Sequence, residues 1–311
     1  MQVFLIVAPV FALIAIGSAA ARAGLLSDVA HKGISEFAFN IAMPALLFRT
    51  IATSPVPAVA PLQLWAAYFG AIAATWMLAA AATKFLLERP APDGASVAMG
   101  SVYGNVVMLG IPLALATFGA EATTPIALII AVNTPLLWIC GTLHMEWADR
   151  KPGASVGALV LSLLADLAKN PLILAILGGS LWRLGGLGLH PGIDKTLELL
   201  ALAGVPCALV ALGASLTNFQ IKGQAPTLTT MLVLKLLITP LIAWVLAFHV
   251  ARLPPVAAGV VVLFAAMPTG ANAYIFAMRY QRVVNSTSGA VALGTVLAAF
   301  TAAVLIAALV G

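Results

Sequence analysis

Charge is what this sequence has least of: 8% of its 311 residues are Asp, Glu, Lys or Arg, against 62% that are hydrophobic. A water-soluble domain carries about 25% charged residues, because its surface must face water. Fifteen basic and ten acidic side chains cannot coat a soluble surface of this size, so lipid is the solvent for most of the chain. Cysteine is nearly absent as well. Cys140 and Cys207 lie inside apolar runs without CxxC spacing, which points away from a disulfide framework or thiolate metal site and leaves both as packing residues. No HExxH, G-x-S-x-G or paired-Asp motif occurs, so nothing indicates an enzyme, and no cofactor or metal is called for. His144 and Glu146 beside Trp147 read as an interfacial anchor rather than a metal pair, and His31, His190 and His249 also stand near run ends. The net charge of +5 would suggest nucleic acid in a soluble protein. Here the basic residues stand singly between apolar runs, so no nucleic-acid partner is expected and the charges are topological.

What the chain has is apolar length. A helix needs about 20 apolar residues to cross the hydrocarbon, and the polar and proline-rich punctuation leaves ten such runs. They lie near 2–21, 33–53, 61–86, 96–117, 123–147, 169–187, 194–217, 227–250, 256–278 and 286–310. The first lacks the basic n-region and small-residue cleavage site of a signal peptide and is kept as a span. The odd-numbered connections hold Arg22, Lys32, Lys84, Arg89, Arg150, Lys151, Lys169, Lys222, Arg279 and Arg282, and the even-numbered ones Arg49, Arg183, Lys195 and Arg252. By the positive-inside rule that excess places both termini outside the cytoplasm.

Lys235, within MLVLKLLITPLIAW, belongs to no connection. A cation near mid-helix costs at least roughly 2.5–3.5 kcal/mol on insertion scales. Two readings stand: the side chain snorkels to the interface, or it holds a fixed positive charge near the substrate path. Glu36, Glu121, Glu146, Asp149, Asp166, Asp194 and Glu198 fall in connections or first turns, and no carboxylate is expected at mid-membrane. That disfavours an antiporter built on buried Asp pairs.

A weak repeat runs through the spans. Glu36 precedes Pro44 by eight residues, and Glu198 precedes Pro206 by eight, at an offset of 162. A nearly equal shift lays Gly110, Ile111 and Pro112 on Gly270, Ala271 and Asn272. Chance coincidence in a proline-rich chain is the competing reading. Five spans per half would make the repeats inverted, as in many secondary transporters. Spans four and nine each carry Pro and Gly near their middle, where a break frees backbone groups that lipid cannot satisfy. Paired breaks at matching positions point to a substrate site, and Asn105 and Asn272 supply amide donors and acceptors beside them. The alternative is a pair of tolerated kinks.

At these residues the chain resembles the auxin efflux carrier family, which includes the plant PIN-FORMED proteins and bacterial malonate-type carriers. The resemblance rests on FAFNIAMPALL (37–47), GNVVMLGIPL (104–113), KNPLILAILGG (169–179), LKLLITP (234–240) and MPTGANAYIFAMRY (267–280). It implies an all-α polytopic membrane protein of ten transmembrane helices. They would form two inverted five-helix repeats with crossed, broken helices four and nine, as in bile-acid symporters and sodium/proton antiporters. The repeats would occupy residues 1–147 and 169–311, joined by a cytoplasmic linker over 148–168. By the same resemblance, spans 1, 2, 6 and 7 form a scaffold, and spans 3–5 and 8–10 a moving transport domain. Substrate contacts would come from Asn105, Gly110, Pro112, Asn133, Pro268, Gly270, Asn272 and Tyr274, with charge compensation from Lys235. Asn133 stands where the plant proteins have Gln, Lys235 where many have Arg, and Asn272 where they commonly have a second Pro, which argues against auxin itself as the ligand. Their long cytoplasmic loop has no counterpart here.

The function so implied is secondary transport of organic, carboxylate anions across the bacterial cytoplasmic membrane by an elevator-type motion, with lipid as surroundings and a homodimer as assembly. A monoanion leaving a negative cytoplasm gains about 2.3 kcal/mol per 100 mV, which favours efflux without a coupling ion. A proton- or sodium-coupled importer of mono- or dicarboxylates is the alternative, since unwound backbone carbonyls can hold cations.

Overall fold

Lipid offers no partner to backbone N–H and C=O groups, and the chain answers with helix almost everywhere. A computed structural model describes residues 2–53, 60–149, 165, 168–219 and 225–310. Their β pairing is a single antiparallel bridge, Gly104 to Thr269. Among the described residues, seven helical stretches are long and apolar enough to cross a membrane: Leu5–Arg22, Asp28–Thr53, Pro61–Phe85, Val106–Asp149, Pro191–Asn218, Ala225–Val250 and Val284–Val310. Pro171–Leu184 and Pro255–Ala265 are apolar but shorter. This is a polytopic helical membrane protein. The linker expected over 148–168 lies, apart from residues 148, 149, 165 and 168, outside the described residues.

Proline shapes the helices in a recurrent way. Three π turns, Ala38–Ala42, Val106–Gly110 and Leu234–Ile238, each end two residues before a proline: Pro44, Pro112 and Pro240. Proline has no N–H, and its ring crowds the carbonyl four residues back. Widening the preceding turn relieves that clash without ending the helix.

The chain divides into two compact units. One comprises Met1–Ala58, Val107–Ala131 and Ser162–Asn218; the other comprises Val59–Val106, Val132–Leu161 and Phe219–Gly311.

The first unit contains α1 (Gln2–Arg22), α2 (Asp28–Phe37), α3 (Met43–Thr53), α6 (Ile111–Phe118), α8 (Pro171–Leu184) and α9 (Pro191–Ser215). Small residues let its helices touch backbone to backbone, the arrangement that substitutes for a hydrophobic driving force within lipid. A Cβ on Gly17 of α1 would collide with the Val210 backbone, and one on Gly213 of α9 with the Ile14 backbone. Gly179 of α8 packs on Phe48, and Gly204 of α9 on Ala42. Polar groups gather at helix ends. Arg49 donates from Nε to Asp194 Oδ1 at 2.7 Å and from Nη2 to Asp194 Oδ2 at 3.1 Å, with Glu198 3.8 Å away. His31 is not the interfacial anchor that the sequence suggests: it is buried, with Nε2 3.4 Å from Asp28 and 3.5 Å from the Asn218 amide. It turns inward because Asn218, at the end of the α9 segment, supplies a polar partner there.

The second unit contains α4 (Pro61–Phe85), α5 (Ala91–Val102), α10 (Ala225–Val233), α11 (Thr239–Trp244), α12 (Pro255–Ala265), α13 (Ala271–Tyr280) and α14 (Val284–Val310). The long helix α7 (Thr123–Asp149) enters it at residue 132. Cys140 on α7 is exposed rather than packed, a position where a thiol suits lipid as well as protein. His144, near the end of α7, has its Nδ1 accepting from Trp76 Nε1 at 3.1 Å and its ring 6.5 Å from that of Trp147.

Candidate functional site

Two interrupted spans meet inside the second unit. α5 stops at Val102 and α12 at Ala265, and the chain runs extended through Tyr103–Asn105 and on to Gly270 before α13 begins. Asn105 N–H donates to the Pro268 carbonyl at 2.8 Å, and Gly270 N–H donates to the Tyr103 carbonyl at 2.8 Å. Backbone groups released by the breaks therefore satisfy each other. The pairing has a local two-fold relation: Tyr103 matches Pro268, Gly104 matches Thr269 and Asn105 matches Gly270, each 165 residues apart (268 minus 103). The turns leading into α5 and α12 repeat it at 164 (251 minus 87). Leu87 N–H to Ala82 and Arg89 N–H to Thr83 are echoed by Ala251 to Leu246 and Leu253 to Ala247. Glu88 and Arg252 are both left-handed, at φ 49° and 48°.

Proline and glycine spacing in the sequence predicts the first break at Gly110–Pro112, opposite Gly270–Asn272. The structure moves it to Tyr103–Asn105 and makes Asn105 the counterpart of Gly270. Pro112 instead sits in the first turn of α6, after a π turn. The two extended segments approach closely: a Cβ on Gly270 would stand 3.1 Å from the Gly104 carbonyl oxygen, so a larger residue there would have to push backbone aside.

A polar relay surrounds the bridge. Asn272 Nδ2 donates to Tyr103 Oη at 2.8 Å, and Tyr103 Oη shares a hydrogen bond of 2.6 Å with Thr134 Oγ1 on α7. Thr269 Oγ1 donates to the Gly100 carbonyl at 2.8 Å. Asn133, also on α7, accepts from Tyr68 at 3.2 Å; its Nδ2 is buried with no partner among the described residues.

Lys235 does not snorkel. Its side chain is 1% exposed, and Nζ donates to the carbonyl of Ala265, the last residue of α12, at 2.8 Å. A Cβ on Gly104 would lie 3.1 Å from that ammonium and 3.2 Å from the Met267 carbonyl oxygen. The cation thus stands where a helix carboxyl end carries partial negative charge, beside the bridge. The amino end of α13 opens at the same place, with Gly270 as its N-cap.

Of the residues singled out in the sequence, Asn105, Lys235, Pro268, Gly270 and Asn272 come together here. Asn133 is one residue from Thr134 in the relay, and Tyr274 packs edge-on to Phe219 with ring centroids 5.3 Å apart. Gly110 and Pro112 belong to the first unit and are buried there.

Sequence reasoning missed Asp93. Its side chain is 5% exposed near the start of α5, 2.9 Å from Arg89 Nε and 3.5 Å from Arg282 Nη1. Arg282 reaches on to Asp149 at 4.0 Å. The link that carries it is left-handed at Gln281 and at Val283, φ 53° and 56°, a strained setting for a β-branched residue. The segment APDG resembles a turn, and nothing local announces a partner 189 positions away.

Among the described residues no group of three or more His, Cys, Asp or Glu side chains is placed to hold a metal ion. Comparison with known proteins agrees with a transport architecture. The family described as "Membrane transport protein" matches residues 2–306. A Rhizobium meliloti (strain 1021) protein named "Putative malonate transporter" is 24% identical over 301 residues, covering 95% of this chain and 92% of its own. A Methanothermobacter thermautotrophicus protein named "Uncharacterized transporter" is 25% identical over 300 residues, covering 93% and 92%.

Proposed function

The chain belongs to the Membrane transport protein family, and on that premise we propose that it carries small organic carboxylate anions through the crossing of its two broken spans. The observation that carries this reading is the pairing of Tyr103–Asn105 with Pro268–Gly270 beside a buried ammonium. Asn105 and Asn272 would donate amide N–H groups to the carboxylate, assisted by the open N–H groups at the start of α13, where the helix dipole favours an anion. Lys235 would offset the carbonyl end of α12 and part of the substrate's charge. Asn133, Pro268, Gly270 and Tyr274 would line the substrate's path within the second unit. The name of the Rhizobium relative makes a short dicarboxylate the first candidate.

Two inverted five-helix repeats belong to the same reading and are supported by the recurrent hydrogen bonds at 164 and 165 residues. The division into two units supports an elevator-type cycle in which one unit carries the substrate. A homodimer in the bacterial cytoplasmic membrane, with both termini outside, completes it.

Efflux without a coupling ion is favoured because an anion leaving a cytoplasm of negative potential gains about 2.3 kcal/mol per charge per 100 mV. Purified protein in liposomes tests this. Labelled malonate should show saturable counterflow and should leave vesicles of negative interior with no sodium or proton gradient. Flux that requires either gradient would replace this reading with coupled import, and non-saturable flux would indicate a channel.

A further inference from the structure

Two faces run along the second unit away from the crossing. On α13, Arg279 follows Asn272 by seven residues, about two turns and 10 Å of rise, and so returns to the same side of the helix. On α7, Trp138 follows Thr134 by four residues and shares its face. The faces meet rung by rung. Asn272, Tyr103 and Thr134 form the first polar rung. Next, Trp138 meets Phe276 edge-on with centroids 5.6 Å apart, where a Cβ on Gly141 would stand 2.9 Å from the Phe276 ring. The Arg279 guanidinium lies 5.8 Å from the Trp138 ring and 5.8 Å from that of Tyr280. Tyr280 Oη then donates to Thr142 Oγ1 at 3.2 Å.

Arg279 differs from the other arginines of this unit that have acidic neighbours. Arg89 and Arg282 are both committed to Asp93, whereas Arg279 is exposed and makes no ion pair among the described residues. A guanidinium resting on an aromatic face keeps its N–H fork free, and the fork matches a carboxylate in two parallel hydrogen bonds. The ring beneath limits its rotamers, so little order must be gained on binding.

We propose that Arg279, held over Trp138, is a capture site for the carboxylate of the incoming anion, one step along the α7–α13 strip from the amide site at the crossing. The inference rests on the transport reading for its purpose but not for its test. The guanidinium takes one carboxylate, and the indole covers the hydrocarbon between it and the next group. Carriage through the crossing stays with Asn105 and Asn272, so loss of Arg279 weakens capture without removing translocation. A merely structural role is available too, as a cation at the C-terminal turn of α13. Lysine would preserve that role but not the two-pronged contact.

The test uses the full chain in detergent, with malonate as the probe and chloride at equal ionic strength as control. Wild type should show a saturable, malonate-specific change in tryptophan fluorescence. Trp138→Phe should remove it, Arg279→Gln should raise its midpoint at least tenfold, and Arg279→Lys should fall between. No malonate-specific change in wild type, a change that survives Trp138→Phe, or an unaltered midpoint in both Arg279 variants would each overturn the site. In liposomes, Arg279→Gln should raise the half-saturating malonate concentration at an unchanged maximal rate. Flux that depends on Asn105 yet ignores Arg279 would sink this inference alone. Fluorescence titration through Arg279 without any flux would sink the transport reading and leave the site standing.

Discussion

The two compact units solve the problem of cohesion in lipid by opposite means. In the first, glycines bring backbones into contact, Gly17 on Val210 and Gly213 on Ile14, and its ion pair of Arg49 with Asp194 sits near helix ends. In the second, polar groups are interior. Lys235 on Ala265, Thr269 on Gly100, Tyr68 on Asn133 and the Asn272–Tyr103–Thr134 relay all lie between helices. Interhelical hydrogen bonds within membranes contribute only about 0.6–2 kcal/mol each, while an unpaired polar group costs more. Stability alone therefore gives little reason to concentrate them. The first unit relies on backbone contact; the second adds the interior polar groups on which the proposed transport site draws.

The largest effect should come from breaking shape. Gly213→Leu forces side-chain atoms into the Ile14 backbone, and backbone cannot move aside as a side-chain tip can. Overpacking costs typically about 1–3 kcal/mol, and a clash against backbone exceeds the ordinary case. We expect loss of monodisperse protein in detergent, or a fall in Tm of about 10 °C or more. Gly33→Ala, where an added Cβ meets nothing within 4 Å, should leave Tm within a degree or two. A stable Gly213→Leu protein would show that α1 and α9 are not held by close approach.

Breaking the chemistry should separate activity from stability. Lys235→Met removes a buried cation costing at least roughly 2.5–3.5 kcal/mol and leaves the Ala265 carbonyl without its donor, a penalty of about 1–3 kcal/mol. These terms nearly cancel, so Tm should change little while malonate flux falls at least tenfold. Unchanged flux per folded molecule with a lowered Tm would reassign Lys235 to structure and erase the contrast between the units.

How much of this the sequence shows depends on the range of the interaction. Most apolar runs match the helices within a few residues, since lipid imposes length and polarity locally: 61–86 became Pro61–Phe85 and 286–310 became Val284–Val310. The run at 169–187 shrank to Pro171–Leu184, with Pro171 opening the helix and Gly185 closing it. Lys235 was visible as an outlier, but the choice between snorkelling and burial depended on a carbonyl 30 residues away. The first break was misplaced because proline marks a π turn, whereas Tyr103–Asn105 is extended for the sake of its pairing with 268–270. No periodicity within span four records that partnership. Asp93 is half legible: its pairing with Arg89 is a local i,i+4 contact, whereas its second partner, Arg282, comes from the other half of the chain.

The smallest effect tests whether the second unit's interior polarity is all employed. Thr75 on α4 is fully buried, and its hydroxyl has no partner among the described residues. Thr83 on the same helix, by contrast, donates to the Ala79 carbonyl at 2.7 Å. Valine keeps the β-branched shape and removes only the unsatisfied group, so Thr75→Val should be neutral or stabilising by up to about 1 kcal/mol. Malonate flux should be unchanged. Thermal unfolding and flux on the same preparation decide it. A Thr75→Val protein of normal Tm but slowed flux would mean that the hydroxyl finds its partner in another state of the cycle, extending the working surface from the crossing onto α4.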